Sequence, residues 1–220
     1  ARMFPIGDDN SLRRSTPIVT YALIAINVLV FLMELQAGDA FIEEWAFYPV
    51  RFGNDPAGNV DNIFTAMFMH GGWMHLFGNM LYLWIFGDNV EDRFGKVPYI
   101  IFYLVSGIAA TFAQYAVSAG SNIPNVGASG AIAGVLGAYL VLFPKARVNV
   151  IVPGGMVMAL PAIIVLGFWI VLQLFSGVGS IAQTDETADV GGVAYMAHVG
   201  GFLAGVVLGL VSKPFIGDRA

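Results

Sequence analysis

Two residues able to do acyl-transfer chemistry stand in otherwise apolar stretches of the chain. Ser129 lies within Gly127-Ala128-Ser129-Gly130, where a polar loop becomes an apolar run, and His198 follows 69 positions later in another apolar run. A serine hydroxyl becomes a useful nucleophile when a base takes its proton, and imidazole titrates near neutral pH. The pair predicts Ser129 as nucleophile and His198 as general base.

A third apolar run carries His75 and Asn79, whose spacing of four places both on one helix face. Acyl transfer needs hydrogen-bond donors for the developing oxyanion. These two side chains, with the unpaired N–H groups of a helix that starts at Ser129, are the candidates. No carboxylate accompanies Ser129 or His198 within their runs, so the sequence predicts a Ser-His dyad whose histidine is fixed by helix packing.

The amino-acid composition indicates what kind of protein carries these residues. Of 220 residues, 57% are hydrophobic and 11% are charged, against about 25% charged residues in soluble domains. This balance predicts an integral membrane protein. The absence of cysteine excludes disulfides, thiolate metal sites and a cysteine nucleophile. The absence of a basic patch argues against nucleic-acid binding.

We predict an all-α, polytopic bundle of six membrane-spanning helices, because each span needs roughly 20 apolar residues. The domain covers 17–212, between a short cytoplasmic segment at 1–16 and a cytoplasmic tail at 213–220. Residues 36–72 interleave acidic and aromatic residues and are predicted to lie in the membrane interface. The predicted spans are about 17–35, 73–89, 97–117, 129–143, 157–175 and 193–211.

The distribution of basic residues predicts the orientation of the bundle. If the N-terminus is cytoplasmic, every Lys and Arg except Arg51 lies on the cytoplasmic side. Spans two, four and six then begin at the outer side, so His75, Ser129 and His198 share one depth. The chain shows no cleavable signal and no Arg/Ser-rich transit segment, which favours a prokaryotic plasma membrane with both termini cytoplasmic.

Small residues recur at four-residue spacing on two of the predicted spans. Gly201, Gly205 and Gly209 follow His198, and Gly130 and Gly134 follow Ser129. This spacing lets two helix backbones approach closely in a membrane. We therefore expect spans four and six to pack against each other and to bring Ser129 and His198 together.

Three stretches together resemble the rhomboid family of intramembrane serine proteases, in its bacterial six-helix form. They are 70–79 (His-Gly-Gly-Trp-Met-His-Leu-Phe-Gly-Asn), 127–130 and 197–201 (Ala-His-Val-Gly-Gly). The resemblance covers nearly the whole chain. It implies a Ser129–His198 dyad, with His75 and Asn79 stabilising the oxyanion and with a supporting group of His70, Gly127, Gly130 and Gly201.

The resemblance also implies what the protein acts on. Substrates would be membrane proteins cut in or near a transmembrane helix, at small residues, within the lipid bilayer. No metal or cofactor is expected. The fifth span and the loop at 176–193 would form the gate and cap of the site.

Two positions depart from the family pattern. Asp61-Asn62 stands where many members carry Trp-Arg, so the first long connection must be anchored differently. Ala133 stands four residues after the serine, where an aromatic often packs on the histidine. The orientation of His198 must then come from another residue.

Other interpretations remain at this point. Serine, glycine and histidine also occur at ordinary contacts between membrane helices, but packing alone does not explain all three stretches. A rhomboid-like pseudoprotease would hold membrane clients without cutting them, although such proteins typically lack the serine or the histidine. A channel or transporter would need buried carboxylates or paired repeats, and the spans offer only Asp88, at the inner end of span two.

Overall fold

The computed structural model describes residues 4–11, 13–181 and 194–216. Within these ranges the chain is mostly helical, with a small antiparallel sheet. The long helices are α1 (Ile18–Ala37), α5 (Trp73–Phe94), α6 (Lys96–Ser118), α7 (Ser129–Leu142), α8 (Ala162–Ile181) and α9 (Tyr195–Ile216). The short helices are α2 (Asp39–Trp45), α3 (Pro49–Asn54) and α4 (Asp61–Thr65), and the strands are β1 (Phe4–Asp8), β2 (Arg147–Ile151) and β3 (Val157–Pro161).

The helices carry the apolar exterior of a membrane protein. Three of those described, α1, α6 and α9, are long and apolar enough to cross a bilayer, while α7 and the first part of α8 are shorter apolar helices. Large apolar side chains on their outer faces are exposed, as at Leu29, Ile101 and Leu210. A soluble domain would bury such surfaces, so these faces suit contact with lipid. That all six long helices cross the membrane stays a prediction.

Helix α7 is the central helix of the bundle. Its residues are buried without a break from Gly130 to Tyr139. A helix that is apolar all round is expected in such a position, because no face of it needs to meet water or headgroups. Helices α5, α6, α8 and α9 all pack against it.

Helices α7 and α9 pack backbone to backbone, as the glycine spacing predicts. A side chain at Gly201 would overlap the carbonyl of Gly130, and one at Gly205 would overlap the carbonyl of Gly134. Gly134 also abuts Ser106 on α6, so the close packing extends to a third helix. The predicted tight packing of spans four and six is therefore confirmed.

The three-stranded sheet corrects the prediction that the domain is entirely helical. Its strand order is β1-β2-β3, and both pairings are antiparallel. The predicted fifth span began at residue 157, but residues 157–161 form β3 and the helix starts at Ala162. Residues 147–151 alternate exposed and buried side chains, with Val148 and Val150 inside, which is a strand signal of period two.

The sheet is fastened to the helices through Asp8, the last residue of β1. Its carboxylate accepts hydrogen bonds from the Tyr139 hydroxyl (2.7 Å) and from the Asn89 amide (2.7 Å). Nearby, Arg13 forms a 2.7 Å salt bridge with Asp88. These contacts join the N-terminal segment to the ends of α5 and α7.

A buried carboxylate joins α1 to α5. Glu91 accepts hydrogen bonds from the backbone N–H groups of Val19 (3.0 Å) and Thr20 (2.7 Å), and from the Thr20 hydroxyl (2.8 Å). The first N–H groups of a helix lack partners within the helix, so this side chain caps α1 from its neighbour. The negative charge also suits the positive end of the α1 dipole.

Replacing Gly205 by Ala should destabilise the bundle, because the new methyl group would meet the Gly134 carbonyl. We expect a loss of about 1–3 kcal/mol, as for overpacked cores. Gly167→Ala on α8 is the matched control, since no atom of the described residues lies within 4 Å of a Cβ added there. Thermal unfolding in detergent, followed by circular dichroism, compares the two. Equal melting temperatures would contradict the close α7–α9 contact.

Asp8 should make the stability of the fold depend on pH. Burial raises the pKa of the Asp8 carboxyl from 3.8 to about 7, and the Asp88 carboxylate adds to this effect while the Tyr139 hydrogen bond opposes it. The folded protein thus holds a proton that the unfolded chain releases near pH 4. Stability should fall as the pH rises from about 4 to about 7, by up to about 1.4 kcal/mol per pH unit.

Asp8→Asn should remove this dependence and stabilise the protein at pH 8 relative to the wild type. The asparagine keeps an acceptor for Tyr139 and Asn89 but cannot ionise. Asp9→Asn is the control, because Asp9 is exposed and its pKa is lowered by hydrogen bonds from Ser11. Melting temperatures from pH 5 to pH 8 give the comparison. If the melting temperature of Asp8→Asn falls with pH as steeply as that of the wild type, another group must cause the pH dependence.

Candidate active site

Ser129 and His198 are in direct contact. The Ser129 Oγ atom lies 2.8 Å from the His198 Nε2 atom, within hydrogen-bond distance. Ser129 is the first residue of α7, and His198 lies in the first turn of α9. The close α7–α9 packing described above brings the two helix starts together, so the contact follows from the glycine spacing in the sequence.

The loop before Ser129 takes a conformation that needs glycine. Gly127 has a φ of +132°, a backbone conformation that residues with a side chain rarely adopt. A Cβ atom at this position would lie 2.8 Å from the His75 Nε2 atom. His75 therefore occupies the space beside this loop. The helix start leaves the N–H groups of the first turn without partners in the helix, so they are free to face a bound carbonyl oxygen.

The first long connection holds this loop in place. Phe47 and Asn125 exchange two backbone hydrogen bonds, of 3.3 and 2.8 Å, and the Gly127 N–H donates to the Ala66 carbonyl (2.9 Å). Phe47, Ile63 and Ala66 form a small buried cluster beneath these bonds. Residues 36–72 thus build the wall of the serine loop.

Asn62, one of the two departures from the family pattern, takes part in this anchoring. Its side-chain amide donates to the carbonyls of Glu44 (2.8 Å) and Ala46 (3.0 Å). It therefore ties α4 to the end of α2, one residue before Phe47. This connection is anchored here through an asparagine amide.

His75 and Asn79 lie on the first turns of α5. The Gly71 N–H donates to the His75 Nδ1 atom (3.3 Å), so a neutral His75 carries its proton on Nε2, the atom that faces Gly127. Asn79 is buried, and its Nδ2 group has no hydrogen-bond partner in the described part of the chain. Both side chains are available donors. The structure brings His75 to the serine loop, whereas no hydrogen bond joins Asn79 to Ser129.

His70 is fully buried and contacts His75 rather than the serine. Its ring lies 5.1 Å from the His75 ring and 6.4 Å from the Phe31 ring, and its backbone N–H donates to the Glu34 carboxylate (3.1 Å). Burial lowers the pKa of His70 to about 4. A neutral His70 in this place suits a supporting role for His75.

Gln173 and Trp169 on α8 are contacts of His198 that the sequence interpretation missed. The Gln173 Oε1 atom lies 2.7 Å from the His198 Nδ1 atom, and the Trp169 ring lies 5.8 Å from the imidazole. Their spacing of four places both on one face of α8. Position 133, where the family pattern predicts an aromatic, is a buried alanine. A glutamine inside an apolar run was the signal available in the sequence.

A cavity of about 40 Å³ adjoins Ser129. One water molecule needs about 10–15 Å³ by this measure, so the cavity has room for water. Its lining includes Met67, Gly107, Gln114 and Ala197, and the buried Gln114 Oε1 atom has no hydrogen-bond partner among the described residues. The cavity thus leaves a small space beside Ser129. Most of the predicted cap loop, 182–193, lies outside the described residues.

Comparisons of the sequence with known proteins indicate one family. The sequence profile of the Rhomboid domain matches residues 57–215. The chain is 31% identical to Rhomboid protease GluP of Bacillus subtilis over 92% of its own length and 37% of that protein. It is 31% identical to Rhomboid protein 1, mitochondrial, of Saccharomyces cerevisiae, over 87% of the chain and 52% of the relative.

A plant relative, RHOMBOID-like protein 5 of Arabidopsis thaliana, is 32% identical over 68% of the chain and 43% of the relative. The chain therefore spans about two fifths to half the length of these relatives. The matched profile covers most of the chain and includes each of His70, His75, Asn79, Ser129 and His198. The protein belongs to the rhomboid family.

Proposed function

We propose that the protein is an intramembrane serine endopeptidase that hydrolyses peptide bonds in or near transmembrane helices. The observation that carries the proposal is the 2.8 Å contact between Ser129 Oγ and His198 Nε2 inside an apolar bundle. Polar side chains at such depth are costly and mark functional sites. A nucleophile within hydrogen-bond reach of its base is the arrangement that covalent catalysis needs.

The reaction would proceed by acyl transfer. His198 Nε2 takes the proton of the Ser129 hydroxyl as Oγ attacks the peptide carbonyl carbon, giving a tetrahedral oxyanion. The imidazolium returns the proton to the leaving nitrogen as the C–N bond breaks, which leaves an acyl-serine. A water molecule, for which the cavity beside Ser129 has room, then attacks the ester carbonyl while His198 takes its proton. The ester C–Oγ bond breaks, His198 returns the proton to Ser129 Oγ, and the new carboxylic acid leaves.

The oxyanion would be held by three donors. The Ser129 N–H stands at the start of α7, His75 presents its Nε2–H beside Gly127, and the Asn79 amide has no partner within the described ranges. Gly127, Gly130 and Gly201 support this arrangement, because the loop conformation and the α7–α9 contact depend on them. Donors fixed before the reaction stabilise charge with little reorganisation, especially where water is scarce.

The apolar exterior places the protein in a membrane, so its substrates would be other membrane-embedded polypeptides. A transmembrane helix must unfold locally to present its backbone to Ser129, which favours small residues at the cut. The predicted orientation, with cytoplasmic termini and the site in the outer half of the bilayer, rests on the basic residues alone.

Labelling with a serine-reactive fluorophosphonate tests the proposal first. Wild-type protein in detergent should be labelled at Ser129, because His198 activates the hydroxyl. Ser129→Ala and His198→Ala should lose the label while keeping the wild-type circular dichroism spectrum. Cleavage of a model transmembrane substrate should follow the same pattern. A folded wild type that neither labels nor cleaves would instead support a pseudoprotease that binds clients.

Asn79→Ala should lower kcat by about 10²–10³-fold with little change in KM, as for loss of one oxyanion donor. The control is Asn27→Ala on α1, a second buried asparagine, whose amide donates to the Leu23 carbonyl (2.8 Å). This control should lower stability and leave the kcat of the folded protein near the wild-type value. Steady-state cleavage of the model substrate measures both. Equal kcat values for the two variants would remove Asn79 from the oxyanion site.

A further inference from the structure

We propose that Gln173 is the positioning residue that fixes the tautomer and the orientation of His198. The inference rests on the proposed protease function and extends it to a residue on a third helix. Its basis is geometric, since the two ring nitrogens of His198 have separate partners on opposite sides. Ser129 Oγ lies at Nε2 (2.8 Å) and Gln173 Oε1 lies at Nδ1 (2.7 Å).

The chemistry of the amide oxygen determines where the proton sits. Oε1 only accepts hydrogen bonds, so the 2.7 Å contact requires a proton on Nδ1. A neutral imidazole has one N–H, and Nε2 therefore keeps its lone pair. That lone pair can accept the Ser129 proton. The opposite tautomer would place a proton on Nε2 and could not serve as base for the hydroxyl.

Helix α8 also fixes the plane of the ring. Trp169 lies one turn before Gln173, and its ring packs at 5.8 Å and 37° against the imidazole. Trp169 is also 6.3 Å from the Phe202 ring on α9. A hydrogen bond and an aromatic contact from one helix face leave His198 few alternative rotamers.

An amide is suited to this position because the surroundings are apolar. A carboxylate would bind the imidazolium more strongly, but taking its charge out of water is costly. An amide presents the same oxygen without that charge. Gln173 would therefore orient the base and set its tautomer while leaving its basicity almost unchanged.

The first experiment reads the tautomer directly and needs no enzymatic activity. The chain has three histidines, so ¹⁵N-histidine labelling gives a spectrum that single variants can assign. In the full chain in detergent micelles, wild-type His198 should be protonated at Nδ1. Gln173→Leu should move the proton to Nε2 in a measurable fraction of molecules. Leu172→Ala, at the exposed neighbouring position, should keep the wild-type spectrum.

Kinetics separate positioning from a general effect on folding. Gln173→Leu should lower kcat and the rate of fluorophosphonate labelling by about 10²-fold, the low end of a general-base contribution, with KM within twofold. Gln173→Glu restores an acceptor at Nδ1 and adds a negative charge. It should recover the Nδ1 tautomer and move the acid limb of the pH–rate profile to higher pH, because the charge stabilises the imidazolium.

The two proposals can fail separately. A wild type that is folded but unreactive would reject the protease function, while its tautomer would still test Gln173. A wild-type His198 protonated at Nε2 would overturn the inference. So would a Gln173→Leu variant with both the wild-type tautomer and the wild-type rate.

Discussion

The close approach of α7 and α9 is the contact on which the rest of the site depends. Gly201 and Gly205 lie directly against the carbonyls of Gly130 and Gly134, so the two backbones touch without side chains between them. This close approach sets the two helix starts side by side, and Ser129 and His198 lie within hydrogen-bond distance there. The hydrophobic effect does not drive helices together in lipid, so their association depends on close van der Waals packing of this kind.

The groups around the nucleophile are hydroxyl, imidazole, amide and backbone, and this neutrality follows from the surroundings. A buried carboxylate loses its hydration, and only a well-placed partner can offset this cost in free energy. Two buried carboxylates lie away from the nucleophile: Glu91 caps α1 and Asp88 pairs with Arg13. Catalysis at Ser129 would then rely on fixed dipoles, which keep their full strength where water is excluded.

The sequence predicted the approach of Ser129 to His198 and the α7–α9 packing better than it predicted the rest of the scaffold. Polar residues in apolar runs are a strong signal, because placing them in lipid costs free energy unless they have a function. Glycines at four-residue spacing are a second strong signal, because they allow two membrane helices to pack closely. The sheet was missed because β3 is apolar and continues into α8, so hydropathy merges strand and helix into one span. Gln173 was missed because a glutamine has no fixed role, and only the fold reveals which group its amide faces.

The two departures from the family pattern share one physical explanation. A catalytic group must be held in a given place, but the segment that holds it can change. Asn62 anchors the first connection through two carbonyls, and Trp169 packs on the histidine from α8. Position 133 on α7 is a buried alanine, and the aromatic contact comes from α8. If His198 is the base, as proposed, the position of α8 would bear directly on whether it can act.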